Sequence, residues 1–175
     1  PADFVAHAHA LAPRRCLQHL CLAEVQPDRR RLPPLALDAA TGAPVWHVNV
    51  RTEHGILPEA KQWGLSCSPL VAGNALILDL GKVLVLDKRT GKLAVALGGD
   101  APAFSSSVMF ALGERRYVTS LNATGLVVYD LLAKQEVGRH PWEAKWAAAA
   151  VTPIVAGNRI FVSAGYGKGC ALFQL

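Results

Sequence analysis

The chain has 175 residues, 51% of them hydrophobic and 18% charged, with a net charge of +5 at pH 7. That composition suits one ordinary domain with a sizeable core and excludes a disordered polyampholyte. Arg14, Arg15, Arg29, Arg30 and Arg31 all precede residue 35, and the Lys and Arg residues beyond it are scattered singly, so no nucleic-acid partner is expected.

The opening stretch, residues 1 to 34, starts at Pro1 with neither an initiator Met nor a basic-then-apolar leader, which reads as a processed or internal piece of something longer. This stretch is left unassigned. It reads either as a short helix from Arg14 to Val25, bounded by Pro13 and Pro27, or as non-native sequence, an out-of-frame reading of strands that the repeat described next requires there. His7, His9, Cys16, His19 and Cys21 lie close together but lack a second ligand pair at metal-site spacing, so no metal is expected. Cys16, Cys21, Cys67 and Cys170 contain no CxxC pair and read as buried thiols. No run of about 18 apolar residues exists to cross a membrane.

From residue 35 onward the chain repeats itself. "SPLVAGN" at 68–74 returns as "TPIVAGN" at 152–158, which sets Pro69 and Pro153 84 residues apart, twice 42, and "SSSVMFALGERRYVTSL" near Ser105 is a degraded third copy. A second marker runs in parallel: "ALDAATGAPVW" at 36–46, "VLDKRTGKLAV" at 85–95 and "VYDLLAKQEVG" at 128–138. Each period holds short segments rich in Val, Ile, Leu, Phe and Tyr separated by turn residues, the signature of all-β structure with little room for helix. In the unit that starts at Leu65 the strands are predicted near 65–71, 75–79, 83–87 and 92–97, with turns at "AGN", "LGK" and "KRTG". Asp87 is placed to accept hydrogen bonds from the amides of its turn, and Gly91 to take the left-handed conformation there. Ser68, Pro69, Thr152, Pro153 and Ser105 to Ser107 are predicted on the innermost strands.

Four antiparallel strands per 40 to 50 residues is the period of a propeller blade. The expected fold is therefore an all-β partial β-propeller of four-stranded antiparallel blades. Two blades are whole, near 65–97 and 106–140. Two more are partial: the last two strands of one at 35–48 and the first three of another at 149–175. A propeller must close, so the expectation is an open fragment whose remaining blades come from missing chain.

Loops carry function on rigid scaffolds. The long connection "NVRTEHGILPEAKQWG" at 49–64 nominates His54, Glu59, Lys61 and Trp63 for binding, and the equivalent crossing at 140–148 nominates His140, Trp142, Lys145 and Trp146. The competing reading is that Trp63 and Trp146 cap the core at blade junctions. Ser105, Ser106 and Ser107 have no G-x-S-x-G elbow and no ordered His or Asp partner, so no catalytic residue is nominated.

"ALDAATGAPVW" has the form A-x-D-x-x-T-G-x-x-x-W and resembles the tryptophan-docking motif of PQQ-like, quinoprotein-type β-propeller repeats. The resemblance implies that Asp38, Thr41 and Gly42 build the turn and that Trp46 docks between adjacent blades. The second copy keeps Asp87, Thr90 and Gly91 but has Val95 in place of Trp, and the third keeps only Asp130, with Ala133 and Lys134 replacing the Thr-Gly pair. "WGLSCSPLVAGN" and residues 145–175 are also similar to PQQ-binding-like repeat proteins of planctomycete-type bacteria, so the resemblance spans 35–175. It implies a bacterial protein, periplasmic or secreted. A PQQ-dependent alcohol or sugar dehydrogenase of this type would use a tryptophan floor, usually a vicinal disulfide, Ca²⁺ and an acidic base around the quinone. No Cys-Cys pair occurs, and Asp38, Asp87 and Asp130 sit in repeat turns. The expectation is therefore a non-catalytic binding or scaffold module with no cofactor, whose partner is an unidentified protein or small molecule. The alternatives are a piece of such a dehydrogenase, with PQQ and Ca²⁺, and a scaffold resembling the outer-membrane assembly propeller lipoproteins.

Overall fold

A computed structural model of the chain describes residues 35–56, 67–145 and 148–175; the candidates Glu59, Lys61, Trp63 and Trp146, and all of residues 1–34, lie outside them. The repeated strands appear as β1 (Leu35–Leu37) and β2 (Pro44–His47), then β3 (Leu70–Ala72), β4 (Ala75–Asp79), β5 (Lys82–Asp87) and β6 (Leu93–Gly98). They continue as β7 (Val108–Leu112), β8 (Arg115–Leu121), β9 (Gly125–Asp130) and β10 (Gln135–Pro141), and end with β11 (Ile154–Ala156), β12 (Arg159–Ala164) and β13 (Gly169–Gln174). They pair in chain order as sheets of two, four, four and three antiparallel strands. This is the partial propeller, open at both ends, that the repeat implied.

The third strand of each blade turns into the fourth in nearly the same way. Asp38 Oδ1 accepts the N–H groups of Ala40 and Thr41 at 3.0 and 2.9 Å and the Thr41 hydroxyl at 2.9 Å. Asp87 Oδ1 accepts Arg89 N, Thr90 N and Thr90 Oγ1 at 2.9, 2.9 and 3.0 Å. Gly42 and Gly91 both take φ +71°, where an L side chain is strained. The third copy keeps the geometry after losing the residues: Asp130 accepts Leu132 N and Ala133 N at 2.8 and 2.9 Å, and Lys134 bears φ 56° where glycine stood. With no threonine hydroxyl available, Arg115 Nη1 donates to Asp130 Oδ2 at 3.1 Å. Each of these three hairpins also carries a register shift, at Ala36/Leu37, Val85/Leu86 and Glu136/Gly138.

Consecutive blades share three apolar clusters. Leu76, Leu78, Leu84 and Leu86 pack toward Trp46 and Val48, whereas Ile77, Val83 and Val85 pack toward Val118, Val127 and Tyr129 of the next blade. Leu121, Leu126 and Val128 then meet Ile160 and Val162. Both faces of β4, β5 and β9 are thus covered, which is why they read as continuous apolar runs rather than alternating ones. Trp46 lies half-buried over the Asp87 turn, where its Nε1 donates to Lys88 O at 3.0 Å and its ring fills the space a Cβ on Gly91 would need. Val95, at the corresponding place in the next blade, is half-buried against the second cluster instead.

Three expectations need correction. Cys170 is exposed and Cys67 half-buried, not the buried thiols expected. Ser68, Pro69, Thr152, Pro153 and Ser105 to Ser107 precede the innermost strands rather than lying in them. Proline has no N–H to give a ladder, so β3 and β11 begin only after it. The crossing after β2 also contains a short helix, α1 (Val50–His54).

Candidate functional site

Antiparallel order fixes what each end of the blades displays. One end carries the Asp-initiated hairpins and the "AGN" turns. The other gathers α1, the approach to β3, the β4–β5 turn, the crossing from β6 to β7, the crossing after β10 and the β12–β13 turn. Every sequence-nominated binding residue within the described chain belongs to this second, loop-bearing end.

α1 is closed by a reciprocal cap: Asn49 Oδ1 accepts Thr52 N at 3.3 Å, and Glu53 Oε1 accepts Asn49 N at 2.9 Å. Val50 and Ile56 anchor the segment in the first cluster. His54 is left half-buried, its carbonyl accepting Lys82 Nζ at 3.3 Å and its Nε2 buried without a partner.

The later crossing builds a different arrangement. His140, at the end of β10, stacks on Phe173 of β13 with centroids 4.6 Å apart, and Trp142 meets the same ring edge-on at 6.1 Å. Lys168, from the glycine-rich β12–β13 turn, holds its Nζ 4.5 Å from the Trp142 ring centroid, within cation–π range. Trp142 N donates to Thr124 O at 3.2 Å, which fixes the backbone, while the indole Nε1 is buried without a partner. The structure therefore joins His140 and Trp142 through Phe173, which the sequence did not nominate. Lys145 is exposed, its carbonyl accepting Ala148 N at 3.1 Å. His54 sits in the earlier crossing, beside Lys82 rather than this aromatic group.

Between the two crossings lies a charged network with no local sequence signal. Arg139 places its two terminal nitrogens 3.1 and 3.0 Å from the carboxylate oxygens of Asp100, and also donates to Glu136 at 2.9 and 2.7 Å. Asn122 Nδ2 reaches Asp100 at 3.1 Å, so the crossing after β6 is tied to the third blade.

The polar groups nearest the inner strands are committed to one another. Ser68 N donates to Ser106 Oγ at 2.7 Å, Ser105 Oγ to Val151 O at 3.0 Å, and Ser107 Oγ to the buried Asp79 at 3.1 Å. Burial above all pushes the Cys67 thiol up to about 12, so it is no thiolate nucleophile at neutral pH. A quinone with calcium would need free carboxylates and amide oxygens around a common point. Asp79 instead takes Ser107, Asp100 takes Arg139, and among the described residues no three His, Cys, Asp or Glu side chains converge to hold a metal. The described residues do not fit that pair.

Comparison with known proteins follows the same lines. A family model described as outer membrane protein assembly factor BamB matches residues 35–174. Among solved structures, BamB from Moraxella catarrhalis superposes with a TM-score of 0.55 at 21% identity, over 83% of this chain and 41% of that one. The computationally designed Ika4 protein gives 0.51 at 14% identity, over 82% of this chain and 79% of its own. The quinohemoprotein alcohol dehydrogenase ADHIIG from Pseudomonas putida HK5 gives 0.53 at 15%, over 77% of this chain and 26% of that one. The chain thus spans less than half of the Moraxella protein, and at these identities the superpositions speak for the fold alone. No curated protein matches the chain. The match over residues 35–174, on blades that the structure builds independently, places this chain in the PQQ-like β-propeller repeat family whose model is described as outer membrane protein assembly factor BamB.

Proposed function

We propose that the chain is a non-catalytic binding or scaffolding module of a bacterial extracytoplasmic protein, periplasmic or secreted, that works without PQQ or Ca²⁺ and presents its loop-bearing end to a protein partner. The observation that carries this reading is the division of labour at that end. The hydroxyls of Ser105, Ser106 and Ser107 and the carboxyl of Asp79 are engaged in contacts between blades, while His140, Trp142, Phe173 and Lys168 form an aromatic and cationic group near its surface. Rigid aromatic rings beside a flexible cation suit recognition of a polypeptide segment better than bond-making chemistry. The assembly-factor description of the matching family model favours a protein partner over a small molecule. No helix of the described residues is long and apolar enough to cross a membrane.

Two measurements test the reading. A photoreactive amino acid placed at His140 is expected to crosslink to a protein partner in the native bacterium, whereas one at Asn74, on the opposite end, is not; crosslinks from Asn74 alone would refute the assignment of the face. Dye-linked alcohol oxidation in PQQ and Ca²⁺ is expected to give no turnover, and measurable turnover would overturn the non-catalytic assignment.

A further inference from the structure

Asp79 ends β4 on the second blade, and its side chain lies in the seam with the third blade, only 8% exposed. Ser107, at the entry to β7, donates to its Oδ2 at 3.1 Å, and Gly81 N to its Oδ1 at 3.4 Å. Other groups face it from each element packed there. Cys67, on the approach to β3, has its thiol against the Asp79 backbone N–H. Asp100 comes from the crossing after β6, and Tyr129 from β9 with its hydroxyl buried and unpartnered. Ser120 of β8, 0% exposed, stands beside the carboxyl with its own hydroxyl unsatisfied. Among the described residues no ion pair reaches Asp79, and the Arg139 guanidinium is taken by Asp100 and Glu136.

An ionised carboxylate in this seam has one good hydrogen bond, one long one and the Ser120 hydroxyl beside it, but no counter-ion, and the negative Asp100 nearby. Such a group is costly to bury. The neutral acid relieves the repulsion and brings an O–H donor of its own, for which the Ser120 oxygen beside it is a ready acceptor. We propose that Asp79 is a pH-sensitive latch between the second and third blades: carrying its proton, it ties β4 to Ser107 and Ser120, and losing that proton loosens the seam at the loop-bearing end and uncovers Cys67.

The sign follows from linkage. Burial, the largest influence, raises the Asp79 carboxyl above its ordinary value, outweighing the hydroxyls that favour its charged form. Across the window from the ordinary to the raised value, the closed seam holds a proton that the opened seam releases. Opening is therefore favoured about tenfold for each pH unit of rise, and the effect levels off above the raised value. The seam tightens as pH falls through this window.

Hydrogen exchange on the whole chain, corrected for the intrinsic pH dependence of amides, tests the latch. Protection of amides in 76–86 and 115–121 is expected to fall about tenfold per pH unit and then level, with that of 159–164 unchanged. Asp79→Asn, neutral at every pH, is expected to keep high, pH-independent protection in the same segments. A wild-type profile that is flat or rises with pH, or an Asn variant with the wild-type slope, overturns the proposal. Should the Asn variant fail to fold, ¹³C-carboxyl NMR of the wild-type protein decides: titration of Asp79 above the ordinary carboxylate range supports the latch, and titration within or below that range refutes it.

Discussion

Replacing Gly91 by Ala separates two costs that the repeat itself allows to be measured apart. Gly91 and Gly42 occupy the same place in successive Asp-x-x-Thr-Gly turns, and both adopt φ +71°. A Cβ on Gly42 meets nothing within 4 Å, whereas one on Gly91 would fall 2.6 Å from Cε3 of Trp46, 2.8 Å from its Cδ2 and 3.0 Å from Val48 Cγ2. Gly42→Ala therefore carries only the left-handed backbone penalty, about 1–2 kcal/mol. Gly91→Ala adds the displacement of a packed indole, about 1–3 kcal/mol more. Trp46→Ala, which deletes a half-buried ring and its hydrogen bond to Lys88 O, is expected to cost about 2–4 kcal/mol. In that background the Gly91 substitution should shrink toward the Gly42 value, because the indole atoms it would strike are gone and only Val48 Cγ2 remains close. Urea unfolding followed by circular dichroism gives all four stabilities, compared at constant m. Equal costs for Gly42→Ala and Gly91→Ala, or a Gly91 cost that survives removal of Trp46, would refute the idea that Trp46 docks on this turn.

Three further outcomes follow from the same geometry. Lys134→Gly relieves a left-handed non-glycine residue and is expected to raise stability by about 0.5–1 kcal/mol in the same unfolding assay. Hydrogen bonds from Thr90 and its turn amides hold the Asp87 carboxyl below its ordinary value, and the amides of Ala133 and Leu132 do the same for Asp130. Their stabilisation is complete above the unfolded value and is lost as pH falls through the lowered one, so thermal melts of an Asp87→Ala, Asp130→Ala double variant should show a weaker acid dependence than the wild type. Arg139→Lys keeps the charge but cannot fork across Asp100 and Glu136, and a loss of about 0.5–1 kcal/mol is expected from chemical denaturation.

The blades were legible in the sequence because their signals are local. An Asp two and three residues before the amides it accepts, a glycine at the left-handed position and a short apolar run on either side define a hairpin without reference to the rest of the chain. Lys134 shows how far that holds: the turn persists after its threonine and glycine are gone, because Asp130 and the flanking strands still impose it. The starts of the inner strands were displaced because the proline that marks the repeat also refuses the ladder. Much of the loop-bearing end was not legible. Arg139 meets Asp100 across 39 residues and Ser107 meets Asp79 across 28, and neither pairing has a periodicity or spacing to announce it. His140 and Trp142 were readable as crossing residues, but Phe173 belongs to a strand whose alternation looks like ordinary core, and only tertiary structure turns its ring toward them.

The two-faced burial of β4, β5 and β9 carries a liability. In a strand with one wet face, sliding by a single residue drives apolar groups into water, and the core itself forbids it. Here Leu84 and Leu86 serve one cluster and Val83 and Val85 the other, so a slipped β5 would exchange one aliphatic set for another at little cost in hydration. Alignment of these strands must then be enforced at their ends, by the aspartate-anchored hairpins and the bulges beside them. Damage to such a turn should therefore yield collapsed, mispaired forms that still bury their apolar surface, and misfolding rather than simple unfolding is the failure to which this architecture is exposed.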